Sequence, residues 1–289
     1  RQVADALEDA GTTAVSHNVD SDLLSAIDTH RPDVVWPLLH GSTGEDGSIR
    51  DLLELLGVPA VGTDAAGSRI SWSKPVSKTM LARAGVATPA SVTLPEAIFR
   101  DVGARAVLDR VVDRLGLPLV VKPAKGGSAL GVSLVTAAQD LPRAMVSCFS
   151  YGDVALIEQA VSGVELGVSV VDLGDGPRAL PPVEIVVENG LYDYDARYNA
   201  GVTEFFVPAR LEPQVLEAAR EVAVTAHRVL GLRGLSRTDM IVDAAGVPWF
   251  LEVNSAPGMT ETSLFPLAAE AEGLALPQLY RGIAQAAAG

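Results

Sequence analysis

Helices alternate with short apolar strands in three successive groups, which makes this chain α/β at its start and α+β thereafter. An open α/β N-terminal domain leads into two further domains, three in all. Apolar runs at residues 34–38 and 58–61 flank a helix-forming stretch at residues 48–56, the alternation of an open α/β sheet. Residues 119–122 and 132–135 are two strands bracketing a glycine-rich loop. A long amphipathic helix at residues 213–230 leads into two more strands, residues 238–242 and 248–253, with a turn at Ala245-Gly246. The domain limits expected from this grouping are 1–63, 64–157 and 158–289.

The elements follow in order. Residues 2–8 form the end of an amphipathic helix stopped by Gly11, as if the chain began after a first strand of the N-terminal domain. Residues 34–38 are a buried strand, and residues 40–47 a glycine-rich loop. The helix at 48–56 and a short strand at 58–61 come next. A helix at 78–84 opens the second group. Residues 165–171 and Val183–Val187 are strands of the third. A polar, tyrosine-rich stretch at 190–203 precedes the long helix, and the chain closes in a helix over Leu276–Ala288.

The 289 residues suffice for two or three compact domains, and 48% hydrophobic with 20% charged composition argues against disorder. A formal charge of −14 argues against a nucleic-acid partner, because phosphate backbones need clustered lysine and arginine. No apolar run approaches the roughly 20 residues of a membrane span, and the charged, amphipathic start is unlike a signal peptide. Cys148 is the only cysteine, which rules out an internal disulfide and fits a reducing cytoplasm. It lies in the apolar run 144–149 and reads as core.

The hairpin carries the most chemistry. If it folds about Ala245-Gly246, opposed residues sum to 491, so Asp239 faces Glu252 and Arg237 faces Asn254. The period of two puts all four on one face, and Ile241 and Phe250 with them. Two carboxylates and an amide oxygen at close quarters suit Mg2+, which is held by one or two carboxylates plus substrate phosphates. A surface hairpin with a solvated salt bridge is the plainer alternative. It leaves Asn254 and the following P-G-M-T loop unexplained.

The glycine loop, Lys122 to Gly131, lets backbone N–H groups turn toward an anion, and Ser128 adds a hydroxyl. It lacks the G-x-x-x-x-G-K-[ST] pattern of a Walker loop, and by itself a plain hairpin explains it as well. Lys122 ends an apolar strand, where a lysine is uncommon unless paired, and a nucleotide phosphate is a natural partner. Lys74, just before a helix, is within reach of the same site.

Taken together these segments resemble the D-alanine–D-alanine ligases of the ATP-grasp superfamily. The matching stretches are L-H-G-S-T-G-E-D-G (39–47), V-K-P-A-K-G-G-S-A-L-G-V (121–132), I-E-Q-A-V-S-G-V-E (157–165), Y-D-Y-D-A-R-Y (192–198), S-R-T-D (236–239) and L-E-V-N-S-A-P-G-M-T-E-T-S-L-F-P (251–266). They keep family order and spacing over nearly the whole chain. The resemblance implies a three-domain ATP-grasp fold with ATP between the last two domains. It implies ligation of two D-alanines through an acyl phosphate, for peptidoglycan precursors, by a cytoplasmic homodimer. Asp239, Glu252 and Asn254 would hold two Mg2+ ions, with Mn2+ as the alternative metal. Arg237 and the Gly258 N–H would stabilise the oxyanion. Lys74 and Lys122 would grip phosphates, Glu158 and the Val161 backbone would read adenine, and Glu165 would bind ribose. Ile241 and Phe250 would pack against the adenine ring. His40 and Glu45 would shape the first D-alanine site, while Ser263 and Leu264 would receive the second substrate's carboxylate. Ser128 and Tyr198 would close over the site, Tyr198 from a mobile loop that excludes water.

The sequence departs from the family in three places. The family's N-terminal strand and its glutamate for the first ammonium group have no counterpart in this chain. Ala129 stands where the family usually has a second serine, and Arg197 where it usually has lysine. Two rival readings follow: an ATP-grasp ligase joining other amino or hydroxy acids, and a nucleotide-binding regulatory or scaffold protein. The intact Arg237, Asp239, Glu252 and Asn254 argue against the second.

Overall fold

A computed structural model describes residues 1–187 and 203–289. Tyr198, Arg197 and the expected lid around them lie outside the described residues. The N-terminal part carries α1 (Gln2–Asp9), α2 (Leu23–His30), α3 (Ser42–Glu45) and α4 (Ser48–Leu55). The two strands expected there reduce to a single parallel bridge, Val35 to Ala60. Among the described residues no third strand extends that ladder, and a pair alone is marginal. Residues 40–47, expected as a loop, contain the helical turn α3. It is held by the Gly41 N–H donating to Glu45 Oε1 at 3.0 Å.

Two helices follow, α5 (Ala65–Trp72) and α6 (Lys74–Arg83). Asp64 caps α5 by accepting from the Gly67 N–H at 2.9 Å. Small residues and a short apolar stripe hide α5 from periodicity, and α6 starts four residues before its expected first turn at Lys78.

The central sheet has the order β1-β4-β2-β3: β1 (Ser91–Pro95), β2 (Leu119–Pro123), β3 (Ser133–Val135) and β4 (Val154–Gln159). Helices α7 (Glu96–Val102), α8 (Ala104–Leu115) and α9 (Leu141–Phe149) accompany it. On α8 the buried Leu108, Val111 and Leu115 fall at i, i+3 and i+7, one stripe of a 3.6-residue helix. They pack with Leu119, Val121, Leu141 and Ile157 into the core of this sheet. Cys148 belongs to that core, as its sequence surroundings predict, and burial pushes its thiol up to about 11.

The second sheet runs β10-β9-β5-β7-β8, with β6 (Arg178–Ala179) pairing β5. Its strands are β5 (Val164–Val171), β7 (Val183–Val187), β8 (Thr203–Phe206), β9 (Leu235–Val242) and β10 (Pro248–Asn254). The long helix α10 (Pro213–Val229) covers one face, packing Ala219 and Ala223 against Leu166, Val168 and Met240. Alanines on that stripe let helix and sheet approach closely. Toward the other end, α11 (Leu264–Ala271) and α12 (Leu276–Ala288) enclose a core of Phe265, Tyr280 and Ile283. Val3 of α1 inserts into the same core, and Trp36 meets Tyr280 edge-to-face at 5.6 Å, which fastens the N-terminal part to the last helices. Among the described residues no helix is long and apolar enough to cross a membrane.

His227 on α10 is 1% exposed, and its Nδ1 lies 2.8 Å from the Ser236 hydroxyl. Burial lowers it from 6.5 to about 4. The unfolded chain therefore takes up this proton at higher pH than the folded chain does. Stability from this residue is complete above about pH 6.5 and is lost as pH falls toward 4. At 1.36 kcal/mol per pKa unit the loss is about 3 kcal/mol. His227→Gln is expected to flatten that part of the pH dependence, measured by urea denaturation at pH 7 and pH 4.5. An unchanged dependence would remove His227 as its source.

Candidate active site

The hairpin of β9 and β10 sets the site. Asp243 pins its turn, accepting at Oδ1 from the Ala245 and Val247 amides at 2.9 Å each and at Oδ2 from the Trp249 indole at 2.8 Å. At the far end Glu252 pairs with Asp239 and Asn254 with Arg237, as the sequence arithmetic predicts. Nearer the turn the register is different. Trp249 pairs with Ile241 and Phe250 with Met240, and a bulge lies between Phe250 and Glu252. The extra residue, Leu251, shifts the pairing by one, and the Phe250 N–H bonds to Ala87 O at 2.9 Å. Phe250 therefore does not share the face of Ile241. It is fully buried with Leu81, Leu230 and Leu232, which corrects the expectation that it packs on an adenine ring.

Arg237 grips Asp239 through both nitrogens of its fork, Nε to Oδ1 at 2.6 Å and Nη2 to Oδ2 at 2.8 Å. The two side chains are 12% and 7% exposed, so the pair is largely removed from water. Asn254 Oδ1 accepts from the Ala256 N–H at 2.8 Å, which fixes the amide plane. On the neighbouring strand Gly167 pairs with Asp239. A Cβ there would stand 2.5 Å from Leu264 Cδ1, so only glycine lets Leu264 close down beside Arg237 and Asp239. Sequence reasoning did not single out Gly167, although a glycine inside an apolar strand is the usual sign of such a close approach.

Lys74, the first residue of α6, points into the site. Its Nζ lies 3.4 Å from Glu252 Oε2 and donates to Gly126 O at 2.5 Å. The glycine loop is tied to this helix start by the Lys74 N–H, which donates to Ala124 O at 3.0 Å, and by the bridge between Ser73 and Lys125. Within the loop Ser128 and Ala129 adopt left-handed backbone, φ 53° and 55°. Left-handed residues bend a loop sharply, and anion-binding concavities are built with turns that include them.

From the N-terminal part, α3 carries Glu45 to the same place. A Cβ on Gly127 would lie 3.7 Å from Glu45 Oε2. Burial raises the Glu45 carboxyl and Glu252 adds to the effect, against the Gly41 amide, Arg237 and Lys74. Burial and then Arg237 hold His40 below the ordinary imidazole range. His40 Nδ1 lies 3.9 Å from Glu45 Oε1.

Lys122 and Glu158 face each other across β2 and β4, at 2.5 Å between Nζ and Oε1. Burial opposes the charge on Lys122, but Glu158, Glu252 and then Glu165 outweigh it and raise Lys122. Glu158 contacts this ammonium group directly, and the charges of Glu252 and Glu165 act on it from the second sheet. Glu158 is also bonded by Lys78, a residue the sequence reading passed over. Val161 is half-buried in the connection from β4 to β5, and Glu165 pairs with Ile241 and Ile185 on the second sheet. Beyond β10, the Ser263 hydroxyl accepts from the Thr260 N–H at 3.1 Å, closing the turn that precedes α11. A Cβ on Gly258 would come within 2.7 Å of that hydroxyl.

Arg237, Asp239, Glu252, Asn254, Lys74, Lys122 and Glu45 thus converge on the space between the two sheets and the glycine loop. Among the described residues no three of His, Cys, Asp and Glu form a metal cage. Two opposed carboxylates and an amide oxygen still fit a Mg2+ ion that draws its remaining ligands from phosphates and water.

The family described as D-ala D-ala ligase C-terminus matches residues 80–285. The D-alanine–D-alanine ligase of Pelotomaculum thermopropionicum is 38% identical over 285 residues, 99% of this chain and 89% of that protein. That of Bordetella avium is 40% identical over 279 residues, 96% and 85% of the two chains. The VanG D-Ala:D-Ser ligase of Enterococcus faecalis superposes with a TM-score of 0.77 at 30% identity, over 87% of this chain and 71% of that one. The D-alanine–D-alanine ligase of Coxiella burnetii gives 0.74 at 28%, over 89% and 68%. The two sheets, with the glycine loop on one and the acidic hairpin on the other, are the ATP-grasp fold that the sequence resemblance implies. With identity near 40% spread over almost all of its length, the chain belongs to the D-alanine–D-alanine ligase family.

Proposed function

We propose that this protein joins two D-alanines into D-alanyl-D-alanine, coupled to cleavage of ATP to ADP and phosphate, as a step toward peptidoglycan precursors. The observation that carries this reading is the Asp239–Glu252–Asn254 end of the hairpin, set beside Arg237 and Lys74. A carboxylate oxygen of the first D-alanine takes the γ-phosphoryl group, giving an acyl phosphate and ADP. The neutral amine of the second D-alanine then attacks the carbonyl carbon, and phosphate leaves with the oxygen that had bridged carbon and phosphorus.

Each residue has a role consistent with its place. Lys74 and Lys122 hold phosphate oxygens, and Ser128 closes the glycine loop over them. Glu158 and the Val161 backbone face the adenine, with Ile241 beside it, and Glu165 takes the ribose. Arg237 and the Gly258 N–H receive the charge that develops on the carbonyl oxygen. His40 and Glu45 border the first D-alanine, while Ser263 and Leu264 border the second. Asp239, Glu252 and Asn254 would hold two Mg2+ ions, which would supply positive charge to neutralise the phosphates. Residues 64–157 and 158–289 act as the two halves that grasp the nucleotide.

The named Enterococcus faecalis neighbour gives a second reading some weight: D-alanine joined to a different acceptor. A competition with D-alanine, D-serine and D-lactate together, followed from about pH 6 to 9 with products identified by mass spectrometry, separates the readings. D-alanyl-D-alanine is expected to dominate and its rate to rise with pH, because the attacking α-amino group must lose a proton, at about 8 in model peptides and higher in a free amino acid. A mixed dipeptide or depsipeptide as main product would replace it.

Gly258→Ala tests the placing of the acceptor. Its Cβ displaces the Ser263 hydroxyl from 2.7 Å, so KM for the second D-alanine is expected to rise by roughly tenfold or more. An unchanged KM in initial-rate measurements would separate Gly258 and Ser263 from the acceptor site.

A further inference from the structure

Three buried ionic side chains from α6, β2 and β4 form a connected group. Lys78 on α6 donates to Glu158 Oε2, and Lys122 on β2 lies 2.5 Å from Glu158 Oε1. Lys78, Lys122 and Glu158 are 3%, 6% and 2% exposed. Two ammonium groups share one carboxylate, so the group holds a net positive charge inside the protein. Burial works against the Glu158 carboxylate, yet Lys122 and Lys78 together hold it below the usual range. The two lysines differ in outlook. Lys122 also feels Glu252 and Glu165, carboxylates on β10 and β5 of the second sheet. Lys78 is lowered by burial and by Lys122, with Glu158 its one favourable charge.

We infer that Lys78 is a positioning residue, the fixed counter-ion of Glu158 that lets Lys122 leave this carboxylate and take a nucleotide phosphate. The inference rests on the nucleotide reading above. With Lys78 in place, Lys122 can move to a phosphate while Glu158 keeps a charged, hydrogen-bonded partner. Without it, Lys122 and Glu158 become a closed neutral pair, and handing Lys122 to a phosphate strands a buried carboxylate. Breaking a buried pair in that way is strongly unfavourable. Adenosine makes no demand on Lys122, and when Lys78 is absent Glu158 keeps Lys122 as its counter-ion beside the adenine, so adenosine binding draws on Lys78 far less than phosphate binding does.

The test is calorimetric titration of a non-hydrolysable ATP analogue and of adenosine, both with Mg2+. The proteins compared are the wild type, Lys78→Met, Lys78→Arg, Glu158→Gln and the Lys78→Met/Glu158→Gln double variant. Lys78→Met is expected to weaken the ATP analogue by about tenfold or more, the equivalent of ~1.4 kcal/mol, and adenosine by less than about threefold. Lys78→Arg is expected to restore most of the difference. In the Glu158→Gln background, removing Lys78 is expected to change analogue affinity by less than about threefold. Equal weakening of both ligands, or the same loss in both backgrounds, would overturn the inference and leave Lys78 a structural residue. Should Lys78→Met fail to fold, the two Glu158→Gln proteins carry the test, since neither holds a buried carboxylate at this position. A lower affinity in the double variant than in Glu158→Gln alone would then overturn it. Dipeptide formation by the wild type is assayed separately. Its absence beside an intact difference between the ligands would reject the ligase reading and not the role of Lys78.

Discussion

Glu252→Gln is expected to lower turnover by about two to three orders of magnitude while leaving the fold in place. Glu252 lies opposite Asp239 on the hairpin, 3.4 Å from the Lys74 ammonium group. The substitution keeps size and hydrogen-bonding oxygen and removes one negative charge from the proposed metal site, whose part would be to hold cations against phosphates. Loss of a single charge-stabilising group at such a centre costs about 10²- to 10³-fold in kcat. The stability change should be small, because Glu252 is partly exposed and Lys74 keeps its bond to the Gly126 carbonyl. ADP release at saturating ATP, D-alanine and Mg2+, beside a urea denaturation curve, measures both quantities. Near-native turnover would mean that Glu252 does not hold the metal.

Arg237→Met is expected to lose both activity and stability, for separable reasons. Activity is expected to fall by a factor of about 10²–10³, since Arg237 is the cation proposed to meet the charge that develops on the carbonyl oxygen. Stability falls because Asp239, 5% exposed, loses a two-pronged partner at 2.6 and 2.8 Å. Leaving one member of such a pair buried costs about 3–5 kcal/mol. A divalent cation offers Asp239 a new partner, so added Mg2+ is expected to recover part of the lost stability in the variant and to act less on the wild type. Thermal denaturation with and without Mg2+ checks this. A variant whose melting does not respond to Mg2+ would argue that Asp239 is not a metal ligand.

Much of the molecule was legible in the sequence where apolar period and chemistry coincide. The last helix and the strand Val183–Val187 fall at their predicted limits, and α10 ends one residue earlier than predicted. The pairing of Glu252 with Asp239 was read correctly by two offsets that cancel. The turn closes between Asp243 and Val247, which alone gives a register one residue lower, and the bulge at Leu251 restores it. Phe250 lies before the bulge, so there the arithmetic failed. Bulges depend on a competing partner, here the Ala87 carbonyl, and a single strand sequence does not contain it. Strand β1 went unread for a related reason, whereas helix α8, with its apolar stripe, and strand β4, with four buried residues, carried patterns that were passed over. β1 alternates between exposed and half-buried residues, with no fully buried face to give it an apolar pattern.

At the site, residue types revealed the acidic hairpin and the lysines, but not their partners. Glu158 was read as a group for adenine, and the structure adds that two lysines already share it. Lys78 was passed over because a lysine in a helix is usually solvated. A signal was present: Lys74 and Lys78 stand four apart and so share one face of α6, both of them buried. A face that buries two ammonium groups must meet anions.

The most direct test of ligation through an acyl phosphate follows one oxygen atom. D-alanine labelled with 18O in its carboxylate, incubated with ATP, Mg2+ and the protein, should yield D-alanyl-D-alanine, ADP and inorganic phosphate that carries a single 18O taken from the substrate. Dipeptide formed with unlabelled phosphate, or ATP cleaved without any dipeptide, would contradict the account.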